Sequence, residues 1–224
     1  MILDLIRHGS TMNLVINLLV RVFVVFCTLP IHEFAHAFVA DRLGDDTPRL
    51  KGRLTLSPLA HLDLIGALMI FLVGFGYAKP VPVNSRNFKN PKGGMALTAA
   101  AGPASNLIMA FIFSFLSNAA KYWAISGGGT VASVSYTFFF LAASVNICLA
   151  VFNLLPVPPL DGSRILNLVL PAKYYFAIMK YERYITIGIF LLLWMGILSK
   201  PLSFLEGIIL NAFTKVTALP FNFT

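Results

Sequence analysis

The chain has 224 residues, of which 58% are hydrophobic and 12% are charged, whereas about 25% of the residues in an ordinary soluble domain are charged. Such a composition leaves too little polar surface for a soluble globule of this size, so we predict an integral membrane protein that contacts the lipid bilayer. The net charge of +8 does not indicate nucleic acid as a partner, because the basic residues lie in loops between apolar runs and form no basic helix. Cys27 and Cys148 lie in apolar segments, which favours buried thiols over a disulfide framework.

The N-terminal part of the chain predicts one long helix. Arg7-His8-Gly9 resembles the phosphoryl-accepting signature of histidine phosphatases, but the soluble α/β domain that such an enzyme needs does not follow. An apolar helix is predicted over residues 12–43, with Gly44 as its C-cap signal. We expect Arg21 to extend from this helix toward the near membrane interface. No small-residue cleavage site follows a short apolar core, so we expect the span to be retained.

Two histidines and a glutamate interrupt the apolar run of this helix, in the sequence His32-Glu33-Phe34-Ala35-His36. Residues four apart lie on one face of a helix, so both imidazoles can bind one zinc ion. The glutamate beside the first histidine is placed to accept a proton from water. Pro30 removes one backbone hydrogen bond just before the motif, which predicts a kink there. Two histidines and a carboxylate in a membrane helix are costly unless they are neutralised, so these residues are functional candidates.

The region from residue 45 to residue 94 predicts an irregular element. Residues 53–57 alternate between apolar and polar side chains, which favours a short strand. The charge-free run 64–78 holds only 15 residues, so we predict a re-entrant, β-like element rather than a full span. His61 lies just before this run and is a possible accessory site residue, although a loop or interface position accounts for it more simply.

Three further apolar segments complete the predicted bundle. The two clearest cover residues 95–119 and 130–154, and a shorter one covers residues 184–199. The tail from Pro201 predicts a short interfacial helix. We therefore predict an all-α membrane protein, a polytopic helical bundle with about four full transmembrane helices plus the re-entrant element. It forms a single domain over residues 1–224, with its core at about residues 12–170.

A catalytic zinc site needs a third protein ligand, and Asp161 is the best candidate. It follows a long charge-free helix through Asn153-Leu-Leu-Pro-Val-Pro-Pro-Leu and precedes Gly162. Three prolines make this segment extended, so it can turn a carboxylate back toward the bundle. One Zn²⁺ with the carboxylates of Asp161 and Glu33 sums to zero charge, which removes most of the burial penalty.

The loop charges predict the side of the membrane on which this site lies. If Asp161 is to reach the histidines, the first helix and the helix before Asp161 must end on the same side, so residues 64–78 must not cross. In that topology 12 Lys and Arg residues share the motif side and 4 share the other, leaving out Arg21. If residues 64–78 crossed, the split would be about 9 to 7. The positive-inside rule therefore favours the re-entrant topology, with the motif end cytoplasmic.

The histidine motif of residues 32–36 and the proline-rich motif of residues 153–162 together resemble those of the site-2 protease family of intramembrane zinc metalloproteases. Residues 101–106, Ala-Gly-Pro-Ala-Ser-Asn, look like that family's third motif. Ser57-Pro-Leu-Ala-His-Leu-Asp and Ala78-Lys-Pro-Val-Pro-Val-Asn are similar to its short prokaryotic branch, which has no PDZ or CBS domain. The resemblance covers about residues 22–170. This chain departs from the short branch at Asp63-Leu64, where Asp-Pro is usual.

The resemblance implies cleavage of transmembrane protein substrates within the membrane, near the cytoplasmic side of a prokaryotic cell membrane. It implies one Zn²⁺ per chain with His32, His36 and Asp161 as ligands, and Glu33 as the general base. Asn153 would bind the substrate backbone or stabilise the oxyanion, and Asn106 would line the site less directly.

The same residues are also compatible with different roles. A catalytically silent relative could bind membrane helices as a scaffold, although the intact Glu33 and Asp161 argue against it. A metal-binding transporter fits poorly, because the chain has few spans and one off-centre site. The histidines could also form a purely structural polar cluster, and Asn153 could be a simple helix C-cap.

Overall fold

A computed structural model describes residues 11–72 and 76–221. The Arg7-His8-Gly9 resemblance and the middle of the run 64–78 lie outside these described residues. The first long helix consists of α1 (Thr11–Phe23), a π-helical segment (Val24–Thr28) and α2 (Leu29–Arg42). It forms a 32-residue segment that is long and apolar enough to cross a membrane, which confirms the predicted helix to within one residue at each end.

The π-helical segment lies directly before Pro30, the second residue of α2. Proline has no N–H to donate to the carbonyl four residues earlier, and that residue, Phe26, lies within the π segment. The disturbance expected from the proline is therefore seen as a change of helical hydrogen-bond register next to the histidine motif. At the other end, Gly44 has a φ of +103° and ends the helix.

Two short helices, α3 (Thr47–Leu50) and α4 (Pro58–His61), follow. The strand predicted over residues 53–57 is wrong, because this segment is irregular. Its polar groups contact the following helix α4 instead of a partner strand. The guanidinium of Arg53 donates to the carbonyl of Ala60, and a ring nitrogen of His61 lies 2.8 Å from the carbonyl oxygen of Thr55.

The predicted re-entrant element consists of α5 (Leu64–Leu72) and an extended segment, residues 76–83, with no strand assigned in its described part. Asp63 begins the helix, since its carboxylate accepts a hydrogen bond from the Gly66 amide at 2.8 Å. The returning chain lies against the same glycine: a Cβ added to Gly66 would meet the Tyr77 carbonyl oxygen at 1.9 Å. The two ends of the element are therefore adjacent, which makes it a hairpin rather than a span.

Asp45 connects the end of α2 to the loop that precedes the next long helix. Its side chain is fully buried. One carboxylate oxygen accepts hydrogen bonds from the Thr47 hydroxyl at 2.5 Å and the Asn87 amide at 2.7 Å, and the other accepts from the Asn84 backbone N–H at 2.7 Å. Burial opposes ionisation, but these hydrogen bonds outweigh it and hold the pKa of Asp45 below its ordinary value.

Two long antiparallel helices form the centre of the bundle, α6 (Pro91–Ile125) and α7 (Gly129–Asn153). Both are candidate membrane spans, as the sequence predicts, and α6 extends several residues beyond both predicted ends. Its start is set by Asn90, whose side-chain oxygen accepts from the Gly93 amide at 3.1 Å. The site helix α2 packs on α6, which in turn packs along α7.

The C-terminal region differs from the prediction. It contains α8 (Asp161–Leu166), α9 (Ala172–Met179), α10 (Glu182–Trp194), α11 (Ser199–Ala218) and a final 3₁₀ turn, Leu219–Phe221. The span expected over residues 184–199 is a helix of only 13 residues, since Gly196 has a φ of +73° shortly after its end. The fourth candidate span is instead Ser199–Phe221, so the expectation of a short interfacial tail is wrong.

The helix α11 packs on α6 and α7 through both apolar and polar contacts. Leu202 is buried in a core cluster with residues of both helices. Ser144 donates a hydrogen bond to the carboxylate of Glu206, and the Asn118 amide donates to the Thr217 hydroxyl at 2.9 Å. These pairings make α11 antiparallel to α7. Lys200 therefore lies at the Asp161 end of the bundle, not at the opposite end as the sequence suggested.

Candidate metal centre

Three side chains from two separate parts of the chain meet at one point. His32 and His36 lie one turn apart on α2, and their Nε2 atoms are 3.1 Å from each other. Asp161, at the start of α8, places its Oδ2 atom 3.4 Å from Nε2 of His32 and 3.3 Å from Nε2 of His36. Both histidines are buried and the aspartate is mostly buried. The fold therefore brings together the three residues that the sequence predicted as ligands.

This triangle fits a zinc ion. Ligand atoms bound tetrahedrally to zinc at about 2.0–2.1 Å lie about 3.3 Å from one another, and all three distances here are close to that value. The Oδ2 atom of Asp161 is buried and, within the described part of the chain, has no hydrogen-bond partner, although two ring nitrogens lie near it. Burying an acceptor that receives no hydrogen bond costs free energy unless a cation binds to it. Two imidazoles and one carboxylate are also the donor set that a catalytic zinc site uses.

The orientation of His36 is fixed by α6. Its Nδ1 atom lies 2.7 Å from the Thr98 carbonyl oxygen, which can only accept a hydrogen bond. Nδ1 therefore carries the proton and Nε2 presents its lone pair to the triangle. The sequence did not identify Thr98, because the contact uses a backbone carbonyl that any residue would supply.

Gly102 lets α6 approach the two histidine rings. A Cβ added to it would lie 2.4 Å from Nε2 of His36 and 2.6 Å from Cε1 of His32. The neighbour of this glycine is therefore the candidate metal centre itself. The signal available in the sequence was the spacing of Thr98 and Gly102, which places them one turn apart on the same face of α6.

The proline-rich segment after α7 turns Asp161 toward the histidines, as the sequence predicts. Gly162 is required in this turn, because a Cβ there would lie 2.3 Å from the Leu154 carbonyl oxygen and 2.4 Å from that of Leu155. The Ser163 hydroxyl also donates to the Leu160 carbonyl at 2.7 Å. Burial opposes ionisation of Asp161, but contact with the two imidazoles outweighs it and lowers the pKa of this carboxyl below its usual range.

Glu33 lies beside the ligands without belonging to the triangle. It is half-buried and close enough to His36 for its charge to act on that ring. Because it follows His32 directly in the helix, its side chain projects from a neighbouring face of α2. The three side chains of the triangle can bind a metal through their converging lone pairs. The additional carboxylate of Glu33 can accept a proton beside that metal.

The other predicted site residues are not hydrogen-bonded to the three ligands. Asn106, on the α6 face that carries Gly102, is buried, and neither of its amide atoms has a partner among the described residues. The Asn153 amide donates to the Leu149 carbonyl of its own helix at 3.0 Å. His61 is buried elsewhere, against Thr55, and lines a cavity of about 10 Å³ with Pro30 and Tyr77.

The chain is similar to known metalloproteases. Residues 117–195 match the family model described as Peptidase family M50. "Putative zinc metalloprotease YwhC" of Bacillus subtilis is 41% identical over 163 residues, which are 73% of this chain and 74% of that protein. "Putative zinc metalloprotease Rip2" of Mycolicibacterium smegmatis is 30% identical over 71% of this chain and 59% of its own length. "Zinc metalloprotease MJ0392" of Methanocaldococcus jannaschii is 26% identical over 74% of this chain and 38% of its own length. No solved structure matches the chain significantly.

Proposed function

This chain belongs to peptidase family M50, the site-2 protease family of zinc metalloproteases, and on that premise we propose that it cleaves transmembrane helices of other proteins within the bilayer. The observation that carries the proposal is the triangle of His32, His36 and Asp161, which lies at one end of a bundle with four candidate membrane spans. A metalloprotease with two of its ligands on a candidate membrane span meets its substrates inside or at the edge of the bilayer. The whole of residues 1–224 would act as one membrane domain.

In this proposal His32, His36 and Asp161 hold one zinc ion per chain, and Glu33 is the general base. When bound, zinc supplies a Lewis acid that lowers the pKa of water and polarises a substrate carbonyl. Glu33 accepts the proton from the attacking water and passes it to the departing amine. The Thr98 carbonyl keeps His36 in the tautomer that can bind the metal. The two negative charges of Glu33 and Asp161 neutralise the charge of a divalent cation in this buried site.

The substrate must unwind before it is cut, because the peptide bonds of a helix are hydrogen-bonded internally. Residues 76–83 form an extended segment that lines a small cavity with Pro30 of α2, and its backbone can pair with an unwound strand. The proline-rich turn before Asp161 is not extended as the sequence predicted: it consists of turns and bends, and its N–H groups are either absent at proline or bonded nearby, as at Val157 and Leu160. The amide of Asn153, at the start of that turn, would hold the substrate backbone or the developing oxyanion, and Asn106 would line the site at greater depth.

The proposed orientation places the metal centre toward the cytoplasm of a prokaryotic cell. The hairpin returns to the side on which it started, and Lys200 belongs to the motif end. Among the described residues, the basic ones other than the membrane-embedded Arg21 therefore divide 13 to 2 in favour of the motif end. Positive charge concentrates on the cytoplasmic side of membrane proteins, and this division supports that orientation more strongly than the count from sequence alone.

The test is cleavage of a single-span substrate in detergent by wild-type protein, by Glu33→Gln and by Glu182→Gln. Glu182 is a matched control, since it is also a half-buried glutamate but begins α10, away from the triangle. Zinc content is measured in all three proteins. We expect all three to bind about one zinc, and Glu33→Gln to cleave at least about 100-fold more slowly, as for loss of a general base. A chelator should abolish cleavage, and added zinc should restore it.

Two results would contradict the proposal in different ways. Cleavage that survives Glu33→Gln would refute the role of the general base. Bound zinc without cleavage of any transmembrane substrate would favour a scaffold that binds membrane helices. The intact Glu33 beside a complete ligand set supports the protease, because a scaffold has no use for a proton acceptor at that place.

A further inference from the structure

The helix α5 is too short to cross a membrane, which creates a problem for the backbone of the hairpin that it forms with residues 76–83. The nine residues of α5 rise by roughly 13 Å, less than half of the hydrocarbon core. The last carbonyls of any helix have no partner within it, and in hydrocarbon an unsatisfied carbonyl is costly. A helix that ends there needs a donor from another part of the protein.

Arg21 supplies this donor. Its Nη1 atom lies 2.5 Å from the carbonyl oxygen of Ile70 and 2.9 Å from that of Phe71, the last carbonyls before the end of α5 at Leu72. Arg21 is itself part of a membrane-spanning helix, where an isolated guanidinium is also costly. A positive charge at a helix C-terminus interacts favourably with the helix dipole. The guanidinium and the two carbonyls therefore remove each other's cost of burial in hydrocarbon. The expectation that Arg21 extends to the membrane interface is wrong, because its side chain binds α5 instead.

The hairpin also packs against the turn of helix that precedes the metal ligands. Val25, Ala67 and Ile70 form one buried cluster, with Leu29 packed against it. Close to this cluster, Pro30 shares the wall of the small cavity with Tyr77 and Ala78 of the returning segment. The depth of the hairpin therefore decides which part of residues 76–83 lies next to the helix that carries His32.

We propose that Arg21 is a positioning residue that anchors the hairpin at a fixed depth in the membrane. The anchored hairpin holds residues 76–83 beside α2 as a docking edge for an unwound substrate, a role that rests on the proposed function. The anchoring is a property of the fold and can be measured without any substrate. Asn17 offers a matched control, because it lies one turn before Arg21 on α1 and, in the described part of the chain, its amide bonds to the Asn13 carbonyl of the same helix.

The experiment measures the depth of the hairpin by labelling a cysteine at the last residue of α5. Leu72→Cys is introduced into a protein in which Cys27 and Cys148 are replaced by alanine. A membrane-impermeant maleimide is added to vesicles that hold this protein alone or with Arg21→Met, Arg21→Lys or Asn17→Leu. Zinc content and cleavage of the single-span substrate are measured on the same preparations.

We expect Arg21→Met to raise the labelling rate at least about fivefold, since the uncapped helix end moves toward water. Cleavage should fall about tenfold because the docking edge is displaced, while zinc content stays unchanged. Arg21→Lys keeps the charge and should lie between wild type and Arg21→Met, which also tests the proposal if Arg21→Met does not fold. Asn17→Leu should behave like wild type.

An unchanged labelling rate in both Arg21 variants would overturn the anchoring. Faster labelling with unchanged cleavage would overturn the link between the anchor and substrate docking. If the wild-type protein cleaves no substrate, the proposed function fails, but the labelling comparison still decides whether Arg21 anchors the hairpin.

Discussion

Replacing Gly102 by alanine tests whether the close approach of α6 to the histidines matters for metal binding. The added methyl group would lie 2.4 Å from Nε2 and 2.5 Å from Cε1 of His36, and 2.6 Å from Cε1 of His32. Ordinary contacts begin at 3.4 Å, so the overlap is about 1 Å at each ring. Either α6 or the two rings must move by a comparable distance.

The magnitude follows from the cost of overpacking. Inserting a methyl group into a filled interior costs about 1–3 kcal/mol, and each 1.4 kcal/mol corresponds to about a factor of ten in an equilibrium constant. The overlap falls on ligand atoms, so most of this cost should appear in metal binding. We expect the zinc affinity of Gly102→Ala to be about 10- to 100-fold weaker, the range found when groups that orient metal ligands are altered.

The assay is competition for zinc between the purified protein in detergent and a chromophoric chelator. Gly207→Ala is the matched control, because Gly207 lies in the membrane helix α11 and an added Cβ there meets nothing within 4 Å. Alanine should stabilise that helix by up to about 1 kcal/mol and leave zinc affinity unchanged. Zinc affinity of Gly102→Ala within about twofold of wild type would refute the reasoning, because the rings would then have room that the structure does not show.

Two further predictions concern the loop behind α2 and the segment before Asp161. Asp45→Asn should lower the free energy of unfolding at neutral pH by about 1–3 kcal/mol, since a buried carboxylate with four hydrogen-bond donors is replaced by an amide. Because the pKa of Asp45 is lowered by folding, its contribution is present above the ordinary carboxyl pKa of about 4 and is lost as pH falls through the folded value. Thermal unfolding of both proteins from pH 7 downward should therefore show the difference shrinking in acid, and a constant difference would contradict this account. Asn153→Ala should reduce cleavage about tenfold or more without changing zinc content, whereas Asn211→Ala on α11 should change neither. Unchanged cleavage by Asn153→Ala would remove Asn153 from the substrate site.

The convergence of the three residues of the candidate metal centre could be expected from sequence because each has a local signal. His32 and His36 share a helix face by their spacing alone, and Asp161 is identified by the prolines that precede it and the glycine that follows. The long helices could be predicted from uninterrupted apolar runs. These signals depend on residues near one another in the chain, and the structure agrees with them.

The wrong predictions for α11, Arg21 and residues 53–57 have a common physical cause. In each case the structure depends on partners that are distant in the sequence. The span formed by α11 was not predicted, because the residue that binds its Glu206 is Ser144 on α7, 62 positions away in the sequence. Arg21 looked like an interfacial residue because its partners, two backbone carbonyls of α5, carry no signal in the sequence. Residues 53–57 have the alternation of a strand, but no described segment pairs with them as a neighbouring strand.

The π-helical segment Val24–Thr28 lies between Arg21 and His32 on one continuous helix, and this has a consequence for insertions and deletions. In an uninterrupted α-helix each residue turns the chain by about 100°, so gain or loss of one residue would rotate everything on one side of the change. A π-helical segment accommodates an additional residue locally. It therefore sets the angular offset between the arginine and the histidines. A relative with one residue fewer here would direct its arginine away from α5 while its zinc ligands stayed in place, so aligned sequences should show such deletions only where the basic residue has also shifted along the helix.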